Sequence, residues 1–308
     1  MKLRSALAGS CASALLLAGC TVAPGVAGPT VTAQPATPSV SAPGGPATTA
    51  SATPTPAPDL AVDSVSNFRD LAGSGAGLAV ADGGRMARGV VFRSGKLQGL
   101  SAADKRVLVA AGVTDIFDLR TDEVAKRSPD PAVGRATYHL INVFAVRSRV
   151  SPFPASVRAA ERERQQLNRD FVADAKQRQR IGLLLRGMAD APGAVIIHCT
   201  EGKDRTGWVS AILQLIAGVD RETVIAEYLI SNDRRAEIID RGVAQARKAR
   251  GRTAAEITRI RLVVAESYLR AGLDELESRY GDLHGYLTDG LGLDEPTIER
   301  LRTRLRTP

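Results

Sequence analysis

The stretch from Ala194 to Trp208, AVIIHCTEGKDRTGW, constrains the fold of this chain more than any other. It begins with a continuous run of apolar, mostly β-branched residues, which is typical of a strand buried on both faces of a parallel sheet. His198 and Cys199 follow at the predicted carboxyl end of that strand, and the apolar run after Gly207 predicts a helix to about Ala217. A strand, a tight loop and a helix in this order indicate an α/β domain with a ligand site at the carboxyl edge of its sheet.

Five residues separate Cys199 from Arg205 within this loop. A loop that wraps a tetrahedral oxyanion and opens into a helix points its backbone N–H groups inward and adds the positive end of the helix dipole. The same field lowers the pKa of a thiol at the start of the loop, so we expect Cys199 to be a thiolate at neutral pH. Arg205 supplies a planar guanidinium that matches two phosphate oxygens. One segment therefore carries both the candidate nucleophile and an anion-binding site.

The predicted phosphate-binding residues are the rest of the loop and the start of the helix: Thr200, Glu201, Gly202, Lys203, Asp204, Arg205 and Thr206. Within this set we expect Lys203 to add positive charge at the mouth of the site, unless it is an ordinary solvated side chain. Thr206 can donate a hydrogen bond to the thiolate when it leaves. His198 is interpreted as a scaffold for the loop backbone.

The first twenty residues have the pattern of a targeting segment. Lys2 and Arg4 precede an apolar core, which ends in the sequence LAGC at Cys20. That ending resembles the lipobox of bacterial lipoproteins, in which the cysteine is lipidated and becomes the mature N-terminus. The resemblance implies a signal peptide over residues 1–20, lipidation of Cys20 and an anchored protein on the outer face of the cytoplasmic membrane. Ordinary secretion with release of the protein is the alternative.

Residues 21–59 are rich in Pro, Ala, Thr and Ser. Such a segment cannot bury a core, so we expect a disordered tether there and a folded domain over residues 60–308. Of the three cysteines, Cys11 would leave with the signal peptide and Cys20 would carry the lipid. Cys199 then has no partner for an internal disulfide, and a lone thiol outside the cell favours a thiol that is used in chemistry.

The charge balance restricts the partners of the chain. The 41 basic and 33 acidic residues give a net charge of +8, which suits an anionic substrate or an anionic membrane surface. No stretch interleaves basic and aromatic residues, so we expect no binding to nucleic acid. His139 and His284 have no metal-ligand spacing, and we expect no metal ion and no cofactor.

Further elements upstream and downstream of the loop complete the predicted fold. Ser101 predicts the start of a helix, and segments 113–123 and 138–143 predict strands. Together with the strand before Cys199 they predict a mostly parallel central sheet with helices on both faces. Asp118 falls at the carboxyl end of its strand, as Cys199 does. The C-terminal half is predicted to be a helical cap without obvious chemistry, with one helix broken at Gly272.

Four motifs occur in the same order as in a known family. They are Asn67-Phe-Arg-Asp, with Ala72 in place of a glycine shortly after it, Phe92-Arg-Ser-Gly, Phe117-Asp-Leu-Arg-Thr and the Cys199-x5-Arg-Thr loop. Together they resemble the atypical bacterial tyrosine phosphatases of the secreted mycobacterial protein tyrosine phosphatase B type. The Gly-Lys-Asp-Arg-Thr-Gly segment of the loop also resembles phosphoinositide phosphatases.

This resemblance implies a cysteine-phosphatase-like fold and a metal-independent phosphomonoesterase that forms a phosphocysteine at Cys199. Protein phosphotyrosine is the first expected substrate, with phosphoserine, phosphothreonine and phosphoinositides as further ones. The general acid is Asp118 or Asp204, unless these carboxylates are structural and paired with Arg120 or Arg205. A phosphate-binding interaction module without catalysis is the alternative from a different class.

The polar helical region at 146–180 has three interpretations. It is a solvated face, a lid over the site as the resemblance implies, or a basic surface that docks directly on a membrane.

Overall fold

The computed structural model describes residues 59–146 and 152–307. The expected signal peptide, the lipidation site Cys20 and nearly all of the expected tether lie outside the described residues. Residues 147–151, within the expected lid region, lie outside them as well.

Most of the strands belong to one central sheet. In chain order, the strands are β1 (Arg69–Asp70), β2 (Arg85–Met86), β3 (Val91–Ser94), β4 (Val113–Asp118), β5 (Thr137–Leu140), β6 (Ala194–His198) and β7 (Arg306–Thr307). Five of them form the sheet β1-β3-β6-β4-β5, in which only the edge strand β1 runs antiparallel to its neighbour. The expected mostly parallel sheet is therefore confirmed. β2 and β7 form a separate antiparallel pair.

β6 is the middle strand of the sheet. All of its residues are buried, which accounts for the continuous apolar run in the sequence. Val195 and Ile197 belong to the hydrophobic cluster on one face, and Ala194 and Ile196 to the cluster on the other. The register pairs His198 with Ser94 of β3 and with Asp118 of β4. The carboxyl ends of three strands thus meet directly before Cys199.

The described helices flank this sheet. They are α1 (Ala102–Ala110), α2 (Asp122–Arg127), α3 (Val157–Ala173), α4 (Ala175–Asp190), α5 (Arg205–Ala217), α6 (Arg221–Asp233), α7 (Ala236–Leu262), α8 (Glu266–Tyr280), α9 (Leu283–Gly285) and α10 (Glu295–Leu305), with a π-helical turn at Tyr286–Gly290. The helix predicted after the loop is α5; it ends at Ala217 as expected and begins already at Arg205. Nearly every residue of α5 is buried, so the loop leads into the centre of the larger core.

The predicted helix break at Gly272 is wrong. Gly272 lies inside α8, and a Cβ atom there would come within 2.5 Å of the Trp208 ring. This glycine permits close packing of α8 against the Trp208 ring and against the Asn168 carbonyl of α3 rather than ending a helix. The break falls earlier, between Leu262 and Glu266, and α7 is itself kinked at Gly251, where φ is 83°.

The region expected to be a solvated face, a lid or a docking surface contains α3 and the first part of α4. α3 packs on α7 and α8 and buries Leu167, Phe171 and Val172 in the core. Its role as a lid or as a membrane-docking face stays a prediction. Within the part of the chain that the structure describes, no helix combines the length and the apolar character needed to cross a bilayer.

Candidate active site

The loop between β6 and α5 forms one wall of a cavity of about 500 Å³. Five of the predicted site residues line this cavity: Cys199, Thr200, Glu201, Asp204 and Arg205. The other walls come from distant segments, through Phe153, Arg164, Thr258, Arg261 and Leu262. Gly202, Lys203, Thr206 and Asp118, which were also predicted as site residues, do not line it.

Three successive carbonyl groups of the loop are held by donors outside the cavity. The backbone N–H of Lys96 donates to the Thr200 carbonyl at 3.2 Å. The side-chain amide of Asn67 donates to the carbonyls of Glu201 and Gly202 at 3.2 and 2.9 Å. In a planar trans peptide the N–H points opposite to the carbonyl, so the following N–H groups are turned toward the cavity. This backbone can bind an anion without rearrangement.

The Asn67 side chain is itself held by a buried network. Its Oδ1 accepts a 2.6 Å hydrogen bond from Arg69, whose Nε donates to Glu227 of α6 at 2.7 Å. Asn67 has a positive φ of 61°, a backbone conformation that asparagine tolerates better than most residues. From β3, the buried Arg93 adds a 2.9 Å hydrogen bond to the Gly202 carbonyl. The first two motifs of the sequence therefore serve to shape the loop.

Gly202 is required by the backbone path of the loop. Its φ is 66°, and a Cβ atom would lie 2.4 Å from the carbonyl oxygen of Ser94 at the end of β3. Any other side chain would push the loop away from the sheet.

Cys199 is buried at the base of the cavity, with 2% of its surface exposed. Burial alone raises the pKa of its thiol, but the positive charge of Arg205 and the hydroxyl and N–H of Thr206 outweigh burial and lower the pKa below its ordinary value. Asp204 opposes this in a minor way. The site therefore favours the thiolate, which is the nucleophilic form. Although Thr206 does not line the cavity, it acts on the sulfur directly.

Arg205 is the first residue of α5 and presents its guanidinium to the cavity. Its Nη1 donates to the carbonyl of Leu119 at 3.0 Å, and its Nη2 lies 3.5 Å from the Thr200 hydroxyl. The ring of Phe144 packs against the guanidinium, with 4.5 Å between Cζ and the ring centroid. This arrangement holds a planar cation at the cavity wall, at the end of the cysteine loop.

Lys203 differs from its expected position at the mouth of the site. It is buried, and its ammonium group donates to both carboxylate oxygens of Asp204 at 2.9 and 3.0 Å. Buried ammonium groups require such partners, which is why the side chain turns inward. The additional positive charges that do line the cavity belong to Arg164 of α3 and Arg261 of α7.

Asp204 is the candidate general acid that the structure brings to the cavity. Burial raises the pKa of its carboxyl, but Lys203, Arg164 and Arg205 together hold that pKa below its usual range. Glu201 is a second acidic residue on the cavity wall, and its carboxylate lies 2.9 Å from the buried Arg235. Both carboxylates therefore have positively charged partners: Lys203, Arg164 and Arg205 for Asp204, and Arg235 for Glu201.

Asp118, the other candidate acid, is fully buried behind the loop. Its carboxylate accepts hydrogen bonds from Arg120, the shortest at 2.6 Å, and from the Tyr138 hydroxyl at 2.7 Å. Burial raises the pKa of Asp118, but Arg120, His198 and Tyr138 more than compensate and keep it below its usual value. This geometry matches the structural alternative, a carboxylate paired with Arg120.

His198 is enclosed by the same network. Its Nδ1 lies 3.4 Å from the Cys199 carbonyl and its Nε2 lies 3.3 Å from Asp130. Burial lowers the pKa of His198 against the opposing charges of Asp118 and Asp130, and the buried ring is a scaffold at the start of the loop. Asp118, Asp130 and His198 are close enough to share a cation, but the guanidinium of Arg120 already contacts both carboxylates. These residues therefore do not fit a metal ion.

The sequence did not predict the site residues that lie far from the loop along the chain. Arg235 and Arg261 lie in the C-terminal half, which was expected to carry no obvious chemistry, and Arg164 lies in the polar helical region at 146–180, where it was not predicted as a site residue. The Asn67 and Arg93 motifs were recognised, but their contacts with Gly202 were not. The motifs were the available signal, since buried polar side chains such as Asn67 and Arg93 require hydrogen-bond partners.

Comparison with known proteins agrees with this geometry. A family model described as "Tyrosine phosphatase family" matches residues 60–307. A protein of Cupriavidus necator that carries the name tyrosine-protein phosphatase is 32% identical over 247 residues, which cover 77% of this chain and 85% of the relative. The triple specificity protein phosphatase PtpB of Mycobacterium tuberculosis is 29% identical over 275 residues, or 77% of this chain and 95% of PtpB. A tyrosine-protein phosphatase of Nostoc commune is 31% identical over 230 residues, or 69% of this chain and 73% of that protein.

Proposed function

The chain belongs to the tyrosine phosphatase family, and from this premise we propose that it hydrolyses phosphotyrosine through a covalent phosphocysteine at Cys199. One observation carries the proposal. The buried thiol of Cys199 and the guanidinium of Arg205 face one cavity. The loop between them has its carbonyls held by donors outside that cavity. A site built only to hold phosphate would have no use for a thiol whose pKa is lowered.

The proposed reaction has two steps. The Cys199 sulfur attacks phosphorus, the bond from phosphorus to the tyrosine oxygen breaks, and Asp204 gives its proton to that oxygen. A water molecule then attacks phosphorus and gives a proton to the Asp204 carboxylate, while the bond between sulfur and phosphorus breaks. Phosphate and the thiolate are released. The loop N–H groups and Arg205 bind the equatorial oxygens throughout, where negative charge must be stabilised.

We assign the proton transfer to Asp204 because it lines the cavity and Asp118 does not. A general acid must be protonated when substrate is bound, and the low pKa of Asp204 in the free protein is the apparent difficulty. A bound phosphate dianion brings like charge beside this carboxylate and raises its pKa. Binding of the substrate thus favours the protonated form of Asp204, which cleavage requires.

Broader specificity is a second proposal, which includes phosphoserine, phosphothreonine and phosphoinositides. The observation that favours it is that Arg164 and Arg261 line the cavity and share one carboxylate partner, Glu163, so this group keeps a net positive charge that suits substrates with more than one anionic group. The triple specificity named for the M. tuberculosis relative is in line with it.

We further propose that the protein is lipid-anchored through Cys20 on the outer face of the cytoplasmic membrane. The sequence LAGC after a short apolar segment supports this proposal, and release after ordinary secretion is the alternative. Labelling with a palmitate analogue in cells, compared between the parent and Cys20→Ser, tests it. Labelling of both proteins, or of neither, would contradict anchoring at Cys20.

Hydrolysis of p-nitrophenyl phosphate by the parent and by Cys199→Ser tests the reaction. We expect turnover only by the parent, together with a covalent phosphoenzyme after rapid acid quench. Full turnover by the serine variant would contradict the mechanism, and turnover by neither protein would favour the silent binding module. Parallel assays with a phosphotyrosine peptide, a phosphoserine peptide and phosphoinositide vesicles then rank the substrates.

A further inference from the structure

Arg205 differs from the other arginines of the cavity in what holds it. Glu163 lies 2.9 Å from Arg164 and 3.9 Å from Arg261, so both of these side chains have a carboxylate partner. Within residues 59–146 and 152–307, Arg205 makes no ion pair; its polar contacts are the Leu119 carbonyl and the Thr200 hydroxyl. A long, flexible side chain with so few polar contacts needs another restraint to keep one orientation.

The aromatic ring of Phe144 provides that restraint. It packs against the guanidinium at 4.5 Å, well inside the range of a cation–π interaction. The half-buried ring is fixed in turn, because it stacks on Phe171 with an interplanar angle of 5°, and Phe171 stacks on Trp208 of α5. A continuous aromatic stack thus runs from the core to the candidate phosphate-binding arginine.

An aromatic partner has a consequence that a carboxylate partner would not have. A carboxylate would accept hydrogen bonds from the same N–H groups that the phosphoryl oxygens need, and it would cancel the positive charge. The face of a ring attracts the cation without using any N–H group. The Nε of Arg205 is buried without a partner among the described residues, and its Nη2 makes only the 3.5 Å contact. On this edge of the guanidinium, Nε therefore has no protein acceptor among the described residues, and Nη2 has only a long contact.

We propose that Phe144 is a positioning residue for the reaction. Its ring holds the plane of the Arg205 guanidinium so that Nε and Nη2 meet two phosphoryl oxygens. This inference rests on the proposed function, because it takes Arg205 as the phosphate-binding cation.

The first test measures binding of inorganic phosphate by calorimetry in the full chain carrying Cys199→Ser, with no turnover involved. Phe144→Leu keeps an apolar side chain but removes the π face, so we expect about threefold to tenfold weaker binding. Phe144→Tyr keeps the ring and should restore most of the affinity. Phe171→Leu is the comparison variant: it loosens the support of Phe144 but keeps the ring on Arg205, so we expect it to weaken phosphate binding less than Phe144→Leu does.

A second test separates ring electronics from packing. Phenylalanine analogues with one, two and three fluorine atoms at position 144 keep the shape of the ring while they progressively weaken its attraction for cations. We expect phosphate affinity to fall stepwise along this series, a result that a purely structural ring would not give. This series also decides the question if Phe144→Leu fails to fold.

Unchanged phosphate affinity across the fluorinated series would overturn the proposal, as would equal affinity of Phe144→Leu and its parent. Failure of the proposed function has a different signature. In that case Cys199→Ser would keep the turnover of the parent, or neither protein would turn over p-nitrophenyl phosphate. The phosphate titrations would still measure the effect of position 144 on binding.

Discussion

The side-chain amide of Asn67 donates a 2.9 Å hydrogen bond to the carbonyl oxygen of Gly202, a residue 135 positions later in the chain. Together with its 3.2 Å hydrogen bond to the Glu201 carbonyl, this contact fixes two peptide planes of the loop. The geometry makes the orientation of the anion-binding N–H groups dependent on a residue that never touches the cavity.

The first prediction follows from this contact. Asn67→Gly removes the amide but tolerates the φ of 61°, so it isolates the side chain from backbone strain. We expect kcat/KM for p-nitrophenyl phosphate to fall about tenfold to a hundredfold, since stabilising N–H groups lose their fixed orientation. Asn67→Ala should lose the same catalysis and additional stability, because alanine is strained at this φ. Equal kcat/KM in the parent and the glycine variant would show that the loop keeps its shape without the hydrogen bonds from the Asn67 side chain.

The second prediction concerns the proton donor. In the pH profile of kcat, a general acid must stay protonated, so activity falls as the pH rises through its pKa in the complex. Asp204→Asn should flatten this basic limb and lower kcat by about 10²- to 10⁴-fold for phenyl phosphate, whose leaving group needs a proton. The loss should be smaller for p-nitrophenyl phosphate, whose leaving group is a weaker base. The comparison variant is Asp118→Asn, which should keep the basic limb; the opposite assignment would identify Asp118 as the acid.

The third prediction is that Asp118 affects the pH dependence of stability rather than that of activity. Its pKa in the folded protein is lowered, so it contributes stability that is present above the pKa of the unfolded state, about 3.9. That contribution is lost as the pH falls through the folded-state pKa. We expect the stability difference between the parent and Asp118→Asn to shrink on acidification, as measured by urea unfolding between neutral and acidic pH. If the stability difference between the parent and Asp118→Asn did not change with pH, the charge of Asp118 would not be the source of that difference.

The fourth prediction tests the thiolate. Because the pKa of Cys199 is lowered chiefly by Arg205, iodoacetamide should alkylate the parent with a pH midpoint below the ordinary thiol value of about 8.5. Arg205→Met should move this midpoint upward. Arg164→Met is a matched control, because Arg164 also lines the cavity but is not among the groups that shift the thiol. An equal shift in both variants would point to the general charge of the cavity rather than to Arg205.

The sequence predicted those parts of the fold that depend on neighbours along the chain. β6, the loop and α5 were expected at their observed positions, because burial on both faces and the helix after Gly207 leave a pattern in one segment. The inward turn of Lys203 could not be expected, since a loop sequence does not say which side chain pairs with the carboxylate of Asp204. Arg235, between α6 and α7, pairs with Glu201, and Arg261 of α7 lines the cavity; no local sequence pattern encodes such contacts.

The last prediction concerns Gly272, where the sequence suggested a helix end and the structure has a close helix contact. An added Cβ would lie 2.5 Å from the Trp208 ring and 3.0 Å from the Asn168 carbonyl, and neither rigid group can move aside easily. Gly272→Ala should therefore lower the free energy of unfolding by about 1–3 kcal/mol, measured by chemical denaturation. Gly242→Ala in α7 is the control, because its Cβ would meet only the flexible end of Leu262, and the gain in helix propensity of up to about 1 kcal/mol offsets that contact. If both variants had the same stability, close packing against Trp208 would not be the reason for glycine at position 272.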